Sequence, residues 1–151
     1  MTDVSDEVWK LERDEFAEAR SHEASKISYD FGKATAQAGL IINGGAATAV
    51  IALLAKDKVD PLILRTVPWC LGIYAIGVAA SAMMMFAAMM HADNWNYFWY
   101  HLAYTADTPK ARENEKIAAF WGRLVRLSFA LTILTFLLAS VVLAITMTKL
   151  K

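Results

Sequence analysis

The chain has 151 residues, no net formal charge at pH 7, and a composition that is 57% hydrophobic and 20% charged. Its mean hydropathy of +0.35 excludes an ordinary soluble domain of this size. The neutral balance argues against a basic nucleic-acid-binding protein, so we expect no duplex DNA partner. A single cysteine excludes an intrachain disulfide and a multi-cysteine metal site.

Residues 1–36 are rich in charge, and their apolar side chains recur at helical spacing, which predicts a long amphipathic helix. The polar stretch 20–26 and Gly32 are the two places where this helix is open to a break. The segment lacks the apolar core of a cleavable signal, so we expect insertion through internal spans.

Three apolar stretches are each long enough to cross the roughly 30 Å hydrocarbon core of a bilayer. They are residues 37–55, 67–90 and 124–148. Between the second and third, residues 91–123 predict a helical hairpin outside the membrane. The fold class is therefore an all-α membrane protein with three transmembrane helices and long helical extensions.

Proline and threonine positions suggest where the predicted helices begin and end. Pro61 is typical of a stop after the first span, and Pro68 suits the first turn of the second helix. Thr108 is positioned to cap the third helix, with Pro109 in its first turn.

The distribution of Lys and Arg predicts the orientation. The N-terminal helix and the loop between the second and third spans share ten of these residues, against five on the opposite side. The positive-inside rule then places the N-terminus on the inner, cytoplasmic side of the membrane and the C-terminus on the outer side. On this topology the helical extensions are cytoplasmic.

The sharpest polar feature of the first span is Asn43, followed directly by Gly44 and Gly45 and then by Thr48. A carboxamide in the membrane needs a hydrogen-bond partner, water or a symmetry mate, and glycines allow close helix approach. Either these residues line a pore or an inter-subunit contact, or they pack helices within one subunit. A three-helix monomer has no room for a channel, so we expect a homo-oligomer.

Aromatic residues follow the second span and have two interpretations. Trp95, Trp99 and Tyr100 belong either to an interfacial belt with helix packing or to a platform on which bases stack. In the second case the assisting basic residues would be Arg20, Lys110, Arg112 and Lys116.

No residue grouping indicates an enzyme, a resident metal or another cofactor. The histidines show no metal-ligand spacing, and no nucleophile, histidine and carboxylate fall together. Met85 and Met89 share a helical face and are soft ligands, which leaves a methionine-based metal transporter as one hypothesis. Methionines more often fill irregular packing.

The first span carries an Ile-Asn-Gly-Gly-Ala-Ala core at residues 42–47. In this core the chain resembles small bacterial three-span membrane proteins, and its architecture is similar to antiphage-defence membrane effectors of the Hailong type. That resemblance implies an oligomeric channel, a partner nucleotidyltransferase, and an oligonucleotide signal bound by the cytoplasmic helices. It implies no catalytic residue on this subunit.

The leading hypothesis is therefore an oligomeric pore or ion channel of a bacterial inner membrane, gated through its cytoplasmic helices and with its C-terminus in the periplasm. The alternative is a non-conducting membrane anchor or adaptor whose helices dock a soluble partner.

Overall fold

The structure is a computed structural model that describes residues 4–55, 59–105 and 107–149. These residues form three long helices and one π-helical turn, and no strand occurs among them. The helices are α1 (Val4–Leu54), α2 (Pro61–Tyr100) and α3 (Thr108–Thr148), with the π-helical turn at His101–Thr105. Each helix is long and apolar enough to cross a membrane. The all-α class and the three candidate spans are thereby confirmed.

Helix α1 runs unbroken through 20–26 and Gly32, so neither place interrupts the predicted long helix. The start of α2 differs from the sequence prediction. Pro61 is the first residue of α2, so it does not act as a stop after the first span. Asp60 caps this helix, because its Oδ1 accepts a hydrogen bond from Leu62 N at 2.8 Å. Proline fits a first helical position, where its missing N–H has no intrahelical role. Pro68 consequently lies inside α2.

The cap of α3 lies one residue earlier than predicted. Asp107 Oδ1 accepts a hydrogen bond from Lys110 N at 3.1 Å, and Asp107 O accepts one from Ala111 N at 3.0 Å. Thr108 is therefore the first helical residue, and the prediction that it caps the helix is wrong. The negative charge of aspartate also stabilises the helix, because the N-terminal end of the helix dipole is positive.

The Asp107 cap predicts an acid-sensitive start of α3. Hydrogen bonds from Lys110 lower the pKa of the Asp107 carboxyl. Its stabilising effect is therefore complete above the ordinary aspartate pKa of about 3.9 and is lost as the pH falls through the lowered value. We expect the protection of the Lys110 and Ala111 amides against hydrogen exchange, measured relative to the intrinsic exchange rate at each pH, to fall in that acidic window. Asp107→Asn, which keeps a capping side chain without titrating, should abolish the pH dependence.

The chain divides into two compact units. We call residues 1–32 and 86–124 the charged unit, because they carry most of the charged residues, and residues 33–85 and 125–151 the apolar unit. These divisions fall near the predicted ends of the spans. The cytoplasmic location of the charged unit stays a prediction. Residues 1–3 of the predicted first helix, Lys56 and Lys58 lie outside the described residues.

The apolar unit has a contiguous core of buried side chains. Its members are Val50, Ile63, Val67, Cys70, Tyr74 and Ala139. The Tyr74 hydroxyl lies 3.1 Å from Ser140 Oγ, so the one phenol in this core is hydrogen-bonded between α2 and α3. All three helices contribute to one apolar interior at this end of the unit.

The charged unit packs through small residues and one histidine. Gly32 lies against Ala88 so closely that a Cβ on the glycine would overlap the alanine Cβ. His91 donates from Nδ1 to Ala118 O at 2.7 Å, since a carbonyl oxygen only accepts. Gly122 leaves the space that the His91 ring occupies. These contacts join α2 to α1 and to α3 within this unit.

Candidate functional site

The interior of the apolar unit follows coiled-coil spacing. Along α2 the buried positions alternate steps of three and four residues: Ile63, Val67, Cys70, Tyr74, Gly77, Ser81 and Met84. Along α3 the same spacing gives Ser128, Thr132, Thr135 and Ala139. This repeat keeps one stripe of each helix turned toward its neighbours. Unusually for such a seam, three of the four α3 positions are polar, and the α2 positions include Gly77 and Ser81.

Helices α1 and α2 approach each other closely at two reciprocal contacts. Gly39 of α1 faces Ser81 of α2, and Gly77 of α2 faces Asn43 of α1. Four residues forward along α1 thus correspond to four residues back along α2, as antiparallel helices require. Each glycine leaves the space that the opposite polar side chain fills, which is the small-residue packing typical of membrane helices.

We call Asn43, Ser81, Thr132 and Thr135 the polar node. All four side chains are buried, with Asn43 and Ser81 fully so. Asn43 Nδ2 donates to Gly39 O at 3.2 Å and to Thr132 O at 3.4 Å, which connects α1 with α3. The Ser81 and Thr132 hydroxyls lie 3.3 Å apart and connect α2 with α3. The node therefore ties the three candidate spans together.

All three node hydroxyls have an acceptor in their own helix, and for Ser81 Oγ it is Gly77 O at 2.9 Å. Thr132 Oγ1 donates to Ser128 O, and Thr135 Oγ1 donates to Leu131 O, both at 2.9 Å. Asn43 Oδ1 is the buried side-chain oxygen without a hydrogen-bond partner among the described residues. It lies over Gly77, where a Cα–H group offers only a weak contact.

The four predicted pore residues separate into two environments. Asn43 lies in the node, where its contacts are those of helix packing within one chain. Gly45 and Thr48 are exposed, Gly44 is partly exposed, and no side chain lies within 4 Å of where a Cβ on either glycine would stand. The Thr48 hydroxyl donates to Gly44 O at 2.9 Å. A pore or inter-subunit role for this set stays a prediction.

The two environments predict different costs of truncation. Asn43→Ala removes the one hydrogen bond to α3, worth about 0.6 kcal/mol between membrane helices, and leaves a cavity in the core, so we expect a total loss of about 1 kcal/mol. Thr48→Ala, on the exposed face, should stay within about 0.5 kcal/mol of wild type. Reversible unfolding of the monomer in mixed detergent measures both. Equal losses would show that the node does not hold the helices.

The charged unit contains an open cleft of about 380 Å³. Its described lining consists of aromatic residues, two carboxylates, an amide and a histidine: Glu18, His22, Asp93, Asn96, Tyr97, Trp99, Tyr100 and Tyr104. The Tyr104 hydroxyl donates to Glu18 Oε2 at 2.9 Å, which closes one wall between α1 and the π-helical turn. His22 Nε2 lies 3.9 Å from the same carboxylate.

The structure brings together only part of the predicted ligand-binding set. Trp99 and Tyr100 line the cleft, whereas Trp95 is partly buried against Phe98. The basic members lie elsewhere: Lys110 forms an ion pair with the Asp107 cap at 3.2 Å. Arg20, Arg112 and Lys116 are exposed and are not among the described lining residues.

Sequence reasoning missed the acidic members of the cleft and the partner glycine of Asn43. Glu18 lies 86 residues from Tyr104 along the chain, so no local pattern pairs them. Gly77 is likewise matched to Asn43 only through the antiparallel packing of two helices. One sequence signal could have placed Gly77 on the buried face of α2. Gly77 and Ser81 continue the spacing of three and four residues that the apolar positions of this helix follow.

The methionine cluster is divided between interior and surface. Met84 is buried, while Met85 and Met89 are exposed. The described residues contain no group of three or more His, Cys, Asp or Glu side chains that could hold a metal ion. The methionine-based transporter hypothesis stays a prediction.

Comparison of the chain with protein-family models, with curated proteins and with solved structures finds no match.

Proposed function

We propose that this protein is the subunit of a homo-oligomeric membrane pore whose opening is controlled through the charged unit. The observation that carries the proposal is a contrast between the outward faces of the three candidate spans. Helices α1 and α2 each expose a stripe of small residues beside exposed large ones, whereas the exposed side chains of α3 are mostly large. Small residues outside favour helix–helix contact, and large aliphatic residues favour lipid.

The stripe on α1 consists of Gly45, Thr48, Ala49 and Ala52, and the stripe on α2 consists of Gly72, Ala75, Ala79 and Ala82. All eight residues are exposed in the single chain. Exposed side chains on α3 are instead Leu127, Phe129, Leu134, Leu137, Leu138 and Val141. Two different stripes on one subunit suit a head-to-tail contact, which closes into a ring when the rotation allows.

A ring is also what conduction would require of this chain. The polar node is enclosed by its own three helices, and its groups are mostly hydrogen-bonded there. A water-filled path would therefore run between copies. Thr48 is then the polar side chain of α1 best placed to face it, because its oxygen retains a free lone pair for water while it donates to Gly44 O.

Ion flux from proteoliposomes tests this proposal. Purified wild-type protein should release a trapped ion gradient, and the protein counted in lipid nanodiscs should contain several copies. A monomer that releases no ions would contradict the proposal. The oligonucleotide ligand and the antiphage role stay predictions of the resemblance.

A second candidate, an anchor or adaptor, is favoured by exposed apolar side chains in the charged unit. Ile27 and Phe31 lie one turn apart on α1 and are 63% and 70% exposed, and Phe120 of α3 is 59% exposed. Such a pair on one helix face suits docking in a partner's apolar groove. The flux measurement separates the two candidates, because an adaptor inserts into liposomes without releasing ions.

A further inference from the structure

We propose that the cleft of the charged unit binds an organic ammonium ion. The inference concerns binding alone and holds whether or not the protein conducts, so it stands or falls independently of the pore. The charge of the lining residues, their aromatic rings and the volume of the cleft together favour this class of ligand.

The charge of the cleft selects a cation. Glu18 and Asp93 supply two carboxylates, and the described lining contains neither lysine nor arginine. A nucleotide or another phosphate would meet two like charges, and the one basic group of the described lining, His22, lies 3.9 Å from the Glu18 carboxylate, so the repulsion costs binding free energy at short range. The interior of the cleft is thus unsuited to a nucleotide, the anion that the base-stacking hypothesis would place there.

The aromatic rings select an organic cation. Tyr97, Trp99, Tyr100 and Tyr104 contribute four rings to the same cleft. The Tyr100 and Tyr104 ring centroids lie 5.4 Å apart with planes tilted by 34°, so these two rings are direct neighbours. Ring faces attract ammonium groups and also cover the alkyl carbons beside them. Carboxylates near such rings then accept the N–H bonds of the ammonium.

A bare metal ion fits less well. The described residues include no cluster of three or more His, Cys, Asp or Glu side chains with metal-binding geometry, and divalent cations need several oxygen ligands at short range. The volume of about 380 Å³ lies within the range of small-molecule sites. A flexible amine with an alkyl chain therefore uses the carboxylates, the rings and the space together.

Calorimetric titration of full-length protein in zwitterionic nanodiscs tests the proposal, with spermidine as the probe. Wild type should bind saturably. The double substitution Glu18→Gln with Asp93→Asn should weaken binding about tenfold or more, because both charges are lost. Tyr97→Leu, which removes one exposed ring, should weaken it about threefold.

The matched control is Glu15→Gln with Glu113→Gln. Both glutamates are exposed, belong to the same unit and lie outside the described cleft lining, and the variant has the same change in net charge. It should retain wild-type affinity. Equal weakening in test and control variants, or no saturable binding by wild type, would overturn the proposal. So would saturable binding of an oligodeoxyadenylate, titrated alone, that Tyr97→Leu weakens.

Discussion

Replacing Gly77 with valine should destabilise the three-helix core by about 1–3 kcal/mol or more, the usual cost of forcing extra atoms into a packed interior. A Cβ at this position would lie 2.5 Å from Asn43 Cγ and 2.6 Å from Thr135 Oγ1. Asn43 cannot move away cheaply, because its amide nitrogen is bonded to Gly39 O and Thr132 O. Valine at position 77 therefore either breaks those bonds or separates the helices.

Gly72→Val on the same helix is the matched control. Nothing lies within 4 Å of a Cβ at Gly72, and the helix propensities of glycine and valine differ by only a few tenths of a kcal/mol. Unfolding should be measured in detergent at a dilution where the protein is monomeric, so that subunit contacts do not contribute. A Gly77→Val protein as stable as Gly72→Val would show that α1 and α2 do not meet at Asn43.

Ala49→Leu in the α1 stripe should dissociate the oligomer, with the subunit dissociation constant raised about tenfold or more. Small residues let helix backbones approach each other, and an isobutyl group in that contact removes the close packing that drives association in lipid. Ala49 is exposed in the single chain, so leucine there should leave the fold of the subunit intact. Ion flux should fall together with the oligomer.

Ala144→Leu provides the control for Ala49→Leu. Ala144 is exposed on α3, where the neighbouring outward residues Val141 and Ile145 are already large and more than half exposed. The same substitution there should add one more lipid-facing side chain and leave the subunit count unchanged. Dissociation by Ala144→Leu but not by Ala49→Leu would move the interface to α3.

The helical class and the three spans were predictable because hydropathy and length are local properties. The absence of charge from 37–55 and 67–90 is visible in the sequence, and the long helices follow from it. Helix starts were less predictable. Asp107 caps α3 in place of Thr108, and Asp60 caps α2, because each aspartate has an oxygen that accepts a hydrogen bond from an N–H of the first turn.

The environment of Asn43 was only half predictable. Its cost in a membrane is a property of the side chain, but the direction in which it points depends on which face of α1 meets the other helices. Packing places Gly77 and Thr132 on that face. The acidic lining of the cleft was not predictable for the same reason. The sequence pairs the aromatic run with basic residues near it in the chain, whereas the fold brings Glu18 of α1 to Tyr104, 86 residues away.

Single-channel recording of purified wild-type protein in a planar bilayer tests the central proposal most directly. The proposal predicts discrete current steps that disappear with Ala49→Leu and persist with Ala144→Leu. A silent bilayer that contains correctly inserted wild-type protein, or steps that survive Ala49→Leu unchanged, would contradict it.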